Sequence, residues 1–266
     1  MNYTFGFIGA GNMGSALIKA TAQNFAPDQI CFYDKHADKC EKLLPLANCL
    51  SSAKEVVRNS EIIFIGVKPQ AYQTTFDEIK EELYKNEKAV VVSMAAGVSI
   101  NGVKKISGID LPVIRIMPNT PCQIGSGVVL YSVGDGVSDS THSLFLTAME
   151  GAGFVSEIDE EKIDAGSVLS GCGPAFVFMF IEALKNGAVK CGLSEENALD
   201  YALKTVEGSA KLAYSSEDDL STLIKKVCSP GGTTIEGVKS FQKDGLETIV
   251  ENALKESYKR TLELKK

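Results

Sequence analysis

Gly9-Ala10-Gly11-Asn12-Met13-Gly14 follows the apolar run Phe5 to Ile8 and opens into Ser15-Ala16-Leu17-Ile18. An apolar strand, a glycine turn and a helix, in that order, are the setting in which G-x-G-x-x-G signals dinucleotide binding. Gly9 permits the sharp bend, Gly11 lets a pyrophosphate approach the backbone, and Gly14 lets the helix pack close on its strand. The N–H groups of Asn12, Met13 and Gly14, at the positive end of the helix, then face the phosphates. Without those flanks the same glycines would read equally as a hairpin or a core turn.

Outward from this loop, short β-branched runs alternate with amphipathic stretches as far as about residue 158: Ile30 to Tyr33, Ile62 to Val67, Ala89 to Ser93, Val113 to Met117 and Val128 to Tyr131. That alternation predicts an α/β unit built on a mostly parallel sheet. Ile62-Ile63-Phe64-Ile65 and Val90-Val91-Val92 are continuously apolar, as central strands covered on both faces must be. Beyond Asp159 the pattern becomes helical, with segments at Glu160 to Lys190, Ser194 to Ala213, Asp218 to Val227, Thr234 to Lys243 and Leu246 to Leu264. Ser194 before Glu195 and Glu196 marks a helix start, and Gly192 suits the end of the helix before it. The expected division is a dinucleotide-binding, Rossmann-like domain over 1–159 and an all-helical domain over 160–266.

A chain of 266 residues that is 44% hydrophobic can bury a sizeable core. Its net charge of -7 and the absence of a long basic run argue against nucleic-acid binding. The longest apolar run, Ala175 to Ile181, falls short of the roughly 18 residues that span a bilayer, so no membrane helix is expected. No basic residues precede the first apolar run, which enters the glycine loop rather than a cleavage site; neither a signal peptide nor any location but the cytoplasm is expected. Seven cysteines without a C-x-x-C pair suggest free thiols, the nine-residue recurrence of Cys31, Cys40 and Cys49 being read as chance. His36 and His142 lie in polar surroundings, so neither histidine catalysis nor a metal site is expected.

Asp34 closes the second strand 20 residues beyond Gly14. There an acid accepts hydrogen bonds from the adenosine ribose hydroxyls and repels a 2′-phosphate, favouring NAD over NADP. Lys35 and His36 beside it are cations able to hold that same phosphate, and a plain turn acid is the alternative reading. Val67-Lys68-Pro69 and Ser93-Met94-Ala95-Ala96-Gly97 end two central strands at the carboxyl edge, where doubly wound sheets bind ligands. Ala95, Ala96 and Gly97 leave room for a flat nicotinamide ring, although close packing would use the same residues.

A second glycine loop, Ser229-Pro230-Gly231-Gly232-Thr233-Thr234, precedes a helix in the half that lacks strands. Paired glycines and unpaired first-turn N–H groups make a nest for a carboxylate or phosphate; a helix start capped by Ser229 or Thr233 is the plainer alternative. A third, Leu169 to Ala175, holds Gly171, Gly173 and Pro174 and reads either as a helix kink or as a place where backbone approaches a ligand. For a site without histidine, an iminium carbon is a suitable hydride acceptor, because it already carries positive charge. The Thr234 hydroxyl, or water held by it, would serve its nitrogen.

Gly9 to Gly14, Val67-Lys68-Pro69, Ala95-Ala96-Gly97, Met117-Pro118-Asn119-Thr120-Pro121, Leu169 to Ala175 and Val227 to Thr234 together resemble pyrroline-5-carboxylate reductase, and the resemblance covers essentially the whole chain. It implies NADPH- or NADH-dependent reduction of 1-pyrroline-5-carboxylate to L-proline. By the same resemblance the coenzyme lies against Gly9, Gly11, Asn12, Met13, Gly14, Asp34, Val67, Lys68, Pro69, Ala95, Ala96, Gly97 and Asn119. The loop from Ser229 through Pro230, Gly231, Gly232 and Thr233 binds the substrate carboxylate, and Thr234 contacts the ring nitrogen. An interlocked homodimer or higher homo-oligomer is implied, each loop serving a cofactor domain of the other subunit. Many relatives carry a small polar residue where Asp34 stands and favour NADP, so this chain departs from them there.

Two other functions compete. A β-hydroxyacid dehydrogenase also joins a Rossmann domain to helices, but wants a lysine four residues after the last glycine of its linker motif; here, counted from Gly173, that residue is Val177, and Lys185 lies farther on. A non-catalytic dinucleotide-sensing module would have no use for the second anion loop.

Overall fold

The computed structural model describes residues 3–264. Eight strands form one sheet in the order β3-β2-β1-β4-β5-β6-β7-β8. They are β1 Tyr3–Ile8, β2 Ile30–Tyr33, β3 Asn48–Cys49, β4 Ser60–Ile65, β5 Val90–Ser93, β6 Val113–Pro118, β7 Gly127–Val133 and β8 Gly153–Glu157. All neighbours run parallel except β6 and β7. The sequence analysis predicted six of these strands; β3 is two residues long, and β8 carries three glycine or polar residues in five, so neither leaves an apolar signature.

Both faces of the sheet are covered, and strict alternation in the central strands divides the core in two. Phe5, Phe7, Ile62, Phe64, Val90 and Val92 pack on one side with α1 (Asn12–Thr21) and α6 (Asp139–Met149). Ile63, Ile65 and Val91 pack on the other with α3 (Ala53–Asn59), α4 (Tyr72–Lys85) and α5 (Ile100–Ser107). The strand order reverses between β1 and β4, so the loops leaving them, at Gly9 and Gly66, diverge to opposite faces.

The polypeptide separates into two compact units, Met1–Cys172 with Tyr258–Lys266, and Gly173–Ser257. Helix α7 (Glu160–Ser167) belongs to the first because a buried ion pair holds it to the sheet: Arg115 Nη2 of β6 donates to Asp164 Oδ1 at 2.6 Å, and Arg115 Nη1 reaches Glu160 Oε1 at 3.5 Å. Glu160 Oε1 also accepts the Ile100 N–H at 2.7 Å, at the start of α5. The second unit consists of α8 (Gly173–Lys190), α9 (Glu195–Ser215), α10 (Leu220–Val227), α11 (Thr233–Lys243) and most of α12 (Leu246–Leu264). Its buried hydrophobic residues are Ile181, Ala198 and Ala202, whereas Phe178, Met179, Leu199, Leu203, Ile224 and Ile249 are exposed.

Two expectations are corrected. Cys40 of α2 (Ala37–Leu43) and Cys49 of β3 form a disulfide, with Cα atoms 5.7 Å apart; the nine-residue interval carries the chain out along the helix and back beside β2. Cys31, Cys122, Cys172, Cys191 and Cys228 are free. The absence of a membrane-length segment also fails: Glu160–Lys190 is one continuous helix that is, by length and composition alone, long and apolar enough to cross a bilayer. Glycine, alanine, serine and cysteine interrupt every long aliphatic run there yet cost little hydropathy, so counting uninterrupted apolar residues missed it.

Removing one partner of a buried ion pair leaves the other charge without compensation. Asp164→Ala should therefore destabilise the first unit by about 3 to 5 kcal/mol in denaturant unfolding. Asp159→Ala, which breaks the exposed pair between Lys162 and Asp159, should cost less than about 1 kcal/mol.

Candidate active site

The glycine loop owes its shape to two backbone approaches. Gly9 sits at φ 97°, and a Cβ there would lie 2.8 Å from the Gly66 carbonyl oxygen. A Cβ on Gly14 would collide with the Gly9 carbonyl, whereas one on Gly11 would meet nothing within 4 Å. The space in front of Gly11 is thus open, and α1 begins there with Gly11 as its N-cap and no side chain capping it. By contrast, Ser52, Ser99, Ser138, Ser194 and Asp219 each accept a backbone N–H at the starts of α3, α5, α6, α9 and α10. First-turn N–H groups turned toward open space fit a pyrophosphate.

Asp34 stands beside this loop with its carboxylate fixed by two backbone donors. Oδ2 accepts the Ala10 N–H at 2.7 Å, and Oδ1 accepts the His36 N–H at 3.0 Å. A carboxylate offers about four acceptor positions, so each oxygen keeps one for a ribose hydroxyl. Lys35 and His36 are exposed next to it. Asn12 is exposed and Met13 half-buried at the first turn of α1.

At the ends of β4 and β5, Val67 is half-buried, Lys68 and Pro69 are exposed in a turn that leads into α4, Ala95 is buried, Ala96 is exposed and Gly97 adopts φ 75°. A residue that the sequence analysis passed over holds these ends together. Tyr72, 1% exposed, donates its hydroxyl to the Ile65 carbonyl at 3.0 Å and lies 3.2 Å from Ser93 Oγ. Burial raises its pKa to about 12, against weaker opposing effects from Ser93 and the backbone of Met94 and Ala95, so it stays a neutral phenol. A tyrosine at helical spacing with Phe76 and Ile79 reads from sequence as core packing; only the fold shows its hydroxyl under the strand ends.

In the second unit, Gly231 has φ 67°, a left-handed conformation costly for other residues. The Gly232 N–H closes a turn on the Ser229 carbonyl at 3.0 Å. Helix α11 then begins with Gly232 as its N-cap and without any side-chain cap, so neither Ser229 nor Thr233 takes that role. Ser229, Pro230, Thr233 and Thr234 are exposed. The two histidines do not converge on either loop: His36 precedes α2, and His142 is half-buried with Nε2 3.1 Å from the Tyr131 hydroxyl on β7.

Residues 160–264 match the family model for the pyrroline-5-carboxylate reductase dimerisation domain, and residues 4–97 match that for NADP oxidoreductase, coenzyme F420-dependent. The chain is 34% identical to pyrroline-5-carboxylate reductase of Arabidopsis thaliana over 99% of its own length and 96% of the relative's. It is also 34% identical to the Escherichia coli enzyme of that name, with both chains covered fully at 100%. The chain belongs to the pyrroline-5-carboxylate reductase family. The crystal structure of the Plasmodium falciparum reductase with NADP bound superposes at a TM-score of 0.89 with 30% identity, covering 100% of this chain and 99% of that one. The Coxiella burnetii family member gives 0.91 with 28% identity, covering 100% of both. An oxidoreductase with a Rossmann-like unit and a helical domain is therefore the family's common plan, and this chain has both parts.

Tyr72→Phe keeps the ring and removes the hydroxyl from beneath Ile65 and Ser93. The variant should lose about 1 to 2 kcal/mol of stability, since the buried Ile65 carbonyl loses its donor. Thermal unfolding without ligand measures this, and an unchanged midpoint would show that the phenol carries no net stability.

Proposed function

We propose that this chain reduces 1-pyrroline-5-carboxylate to L-proline with NADPH or NADH. One observation carries the reading: α1 and α11 each begin on a glycine with no side-chain cap, in a chain that belongs throughout its length to the reductase family. Two such starts suit two anions, the coenzyme pyrophosphate and the substrate carboxylate. When bound, the reduced nicotinamide supplies a hydride to the imine carbon, and one proton completes the amine.

Coenzyme binding is assigned to 1–159 and substrate binding and dimerisation to 160–266, although the compact units divide at Cys172, with Tyr258–Lys266 grouped with the first. Backbone N–H groups of Asn12, Met13 and Gly14 hold the pyrophosphate, with Gly9 and Gly11 giving access. Asp34 binds the adenosine ribose, while Val67, Lys68, Pro69, Ala95, Ala96 and Gly97 border the nicotinamide. Ser229 to Thr233 hold the carboxylate through backbone donors, each contributing about 1.5 to 3 kcal/mol to a charged group. Thr234 hydrogen-bonds the ring nitrogen. The helical domain binds a second copy of the chain: its apolar side chains are left in water by one chain alone, and the matching family model is a dimerisation domain. That partner, rather than lipid, covers the apolar helix Glu160–Lys190, and the substrate loop of one subunit serves the cofactor domain of the other. Net charge -7 gives nucleic acid no footing, and the cytoplasm is the assigned location, with five cysteines free and the Cys40–Cys49 bond the exception to a reducing compartment's pattern.

An Asp34 carboxylate at the adenosine ribose would repel a 2′-phosphate and so favours NADH, whereas the neighbouring Lys35 is placed to hold that phosphate and favours NADPH. Asp34→Ser should shift the ratio of kcat/KM for NADPH over NADH upward by about tenfold, measured by coenzyme oxidation with pyrroline-5-carboxylate. An unchanged ratio removes Asp34 from the coenzyme site.

At the second loop, Thr234→Ala should lower kcat by about 10- to 100-fold, the equivalent of one hydrogen bond of roughly 1.4 to 2.7 kcal/mol, with little change in coenzyme affinity. Gly232→Val should act first on KM, because its Cβ would strike Ser229 Oγ and approach the Ser229 carbonyl to 3.1 Å. Steady-state kinetics separate the two, and wild-type kcat in Thr234→Ala would exclude that hydroxyl from proton delivery.

A further inference from the structure

Asn119 follows Pro118 at the end of β6, on the carboxyl edge beside β5. Its side chain is committed to protein backbone and 7% exposed. Oδ1 accepts the Val128 N–H at 2.8 Å, and Nδ2 donates to the Ser170 carbonyl at 2.9 Å. An N–H on one side and a carbonyl on the other fix which end of the amide points where. Gly127 makes the room, since a Cβ there would lie 2.8 Å from Asn119 Oδ1.

Ser170 is no ordinary helical residue. It lies within a π-helical turn, Val168–Cys172, between α7 and α8. Such turns carry one extra residue and leave the regular α ladder, so their backbone groups need outside partners, and they concentrate at functional sites. Here the Asn119 amide takes the Ser170 carbonyl, while Ser170 Oγ donates to the Gly166 carbonyl at 3.1 Å, four residues back. The next residues are Gly171, Cys172 and Gly173, and a Cβ on either glycine would meet nothing within 4 Å. The turn therefore presents bare backbone to open space, tethered to the strand end beside Ala95.

We propose that Asn119 is a positioning residue for imine reduction: it anchors the π turn, and with it the backbone from Gly171 to Gly173, at the sheet edge where coenzyme and imino acid meet, and its side chain does not touch the coenzyme. The assignment rests on the reductase reading for the reaction, but not for the contact itself. Misplacing a backbone wall by about 1 Å costs on the order of a hundredfold in rate, whereas the glycine loop that binds coenzyme is unaffected.

Asn119→Asp tests this, because it keeps the acceptor for Val128 and turns the donor facing Ser170 into a second acceptor. Expected are a fall in kcat of about 10- to 100-fold, NADH affinity by fluorescence within about twofold of wild type, and faster amide exchange confined to 168–173. Ser170→Ala loosens the same turn without disturbing the buried amide, and should lower kcat in the same direction if the Asn119 variant does not fold. Weaker NADH binding with unchanged exchange would show a direct coenzyme contact and overturn the proposal. So would faster exchange with wild-type kcat in either variant, which would leave Asn119 a purely structural role. Exchange and NADH binding are read without imine, so failure of the wild-type protein to turn over pyrroline-5-carboxylate defeats the reductase reading alone.

Discussion

The Gly9 carbonyl oxygen is enclosed between Gly14 and Gly66, and a side chain on either would run into it. This crowding brings α1 down onto β1 and holds the end of β4 against the loop, with backbone meeting backbone at Gly9, Gly14 and Gly66. A helix start that meets an anion through N–H groups rather than cationic side chains depends on such close backbone packing. The same closeness explains why the loop is pinned from behind. Asp34 accepts the Ala10 N–H, and Ser15 Oγ donates to the Ala10 carbonyl at 2.7 Å. The Asp34 carboxylate thus fixes the loop from behind while keeping acceptor positions unused by its two backbone donors, the Ala10 and His36 N–H groups.

The helical unit poses the opposite problem. Its sequence patterns are amphipathic, yet one chain buries little more than Ile181, Ala198 and Ala202. A domain that leaves Phe178, Met179, Leu203 and Ile249 in water has its stabilising burial elsewhere. The family model that matches this half is a dimerisation domain, and Lys185, Lys204, Lys211, Lys225 and Lys226 interspersed with Glu182, Glu196 and Glu207 are the kind of charged rim that borders a subunit interface.

Much of this was legible in the sequence because the signals were local. β2 and α12 have the expected bounds, and the first glycine loop declared its strand, turn and helix. What escaped detection was non-local or polar. β8 is pinned by pairing with β7 rather than by its own composition. The Cys40–Cys49 bond required knowing that α2 doubles back. Tyr72 falls at core spacing with Phe76 and Ile79, and Arg115 lies inside an apolar strand, so neither side chain's polar end leaves a signal; their partners, Ile65, Ser93 and Asp164, are distant or unremarkable in sequence. In the candidate site the glycine loops and Asn119 are marked in the sequence, whereas the Tyr72 hydroxyl and the Arg115–Asp164 pair are not.

Those braces share a design. Arg115 with Asp164, Asn119 with Ser170 and Tyr72 with Ile65 are each a buried donor on an acceptor near a strand of the central sheet. Apolar contacts alone would tolerate small slides of α7 or of the strand ends, because dispersion has no direction. A buried hydrogen bond does not, since a slide leaves its donor unpaired at a cost of about 1 to 3 kcal/mol. Hydride transfer is sensitive to sub-ångström placement, and backbone N–H groups cannot be adjusted by rotamer. A site built from backbone must therefore take its precision from whatever fixes the backbone.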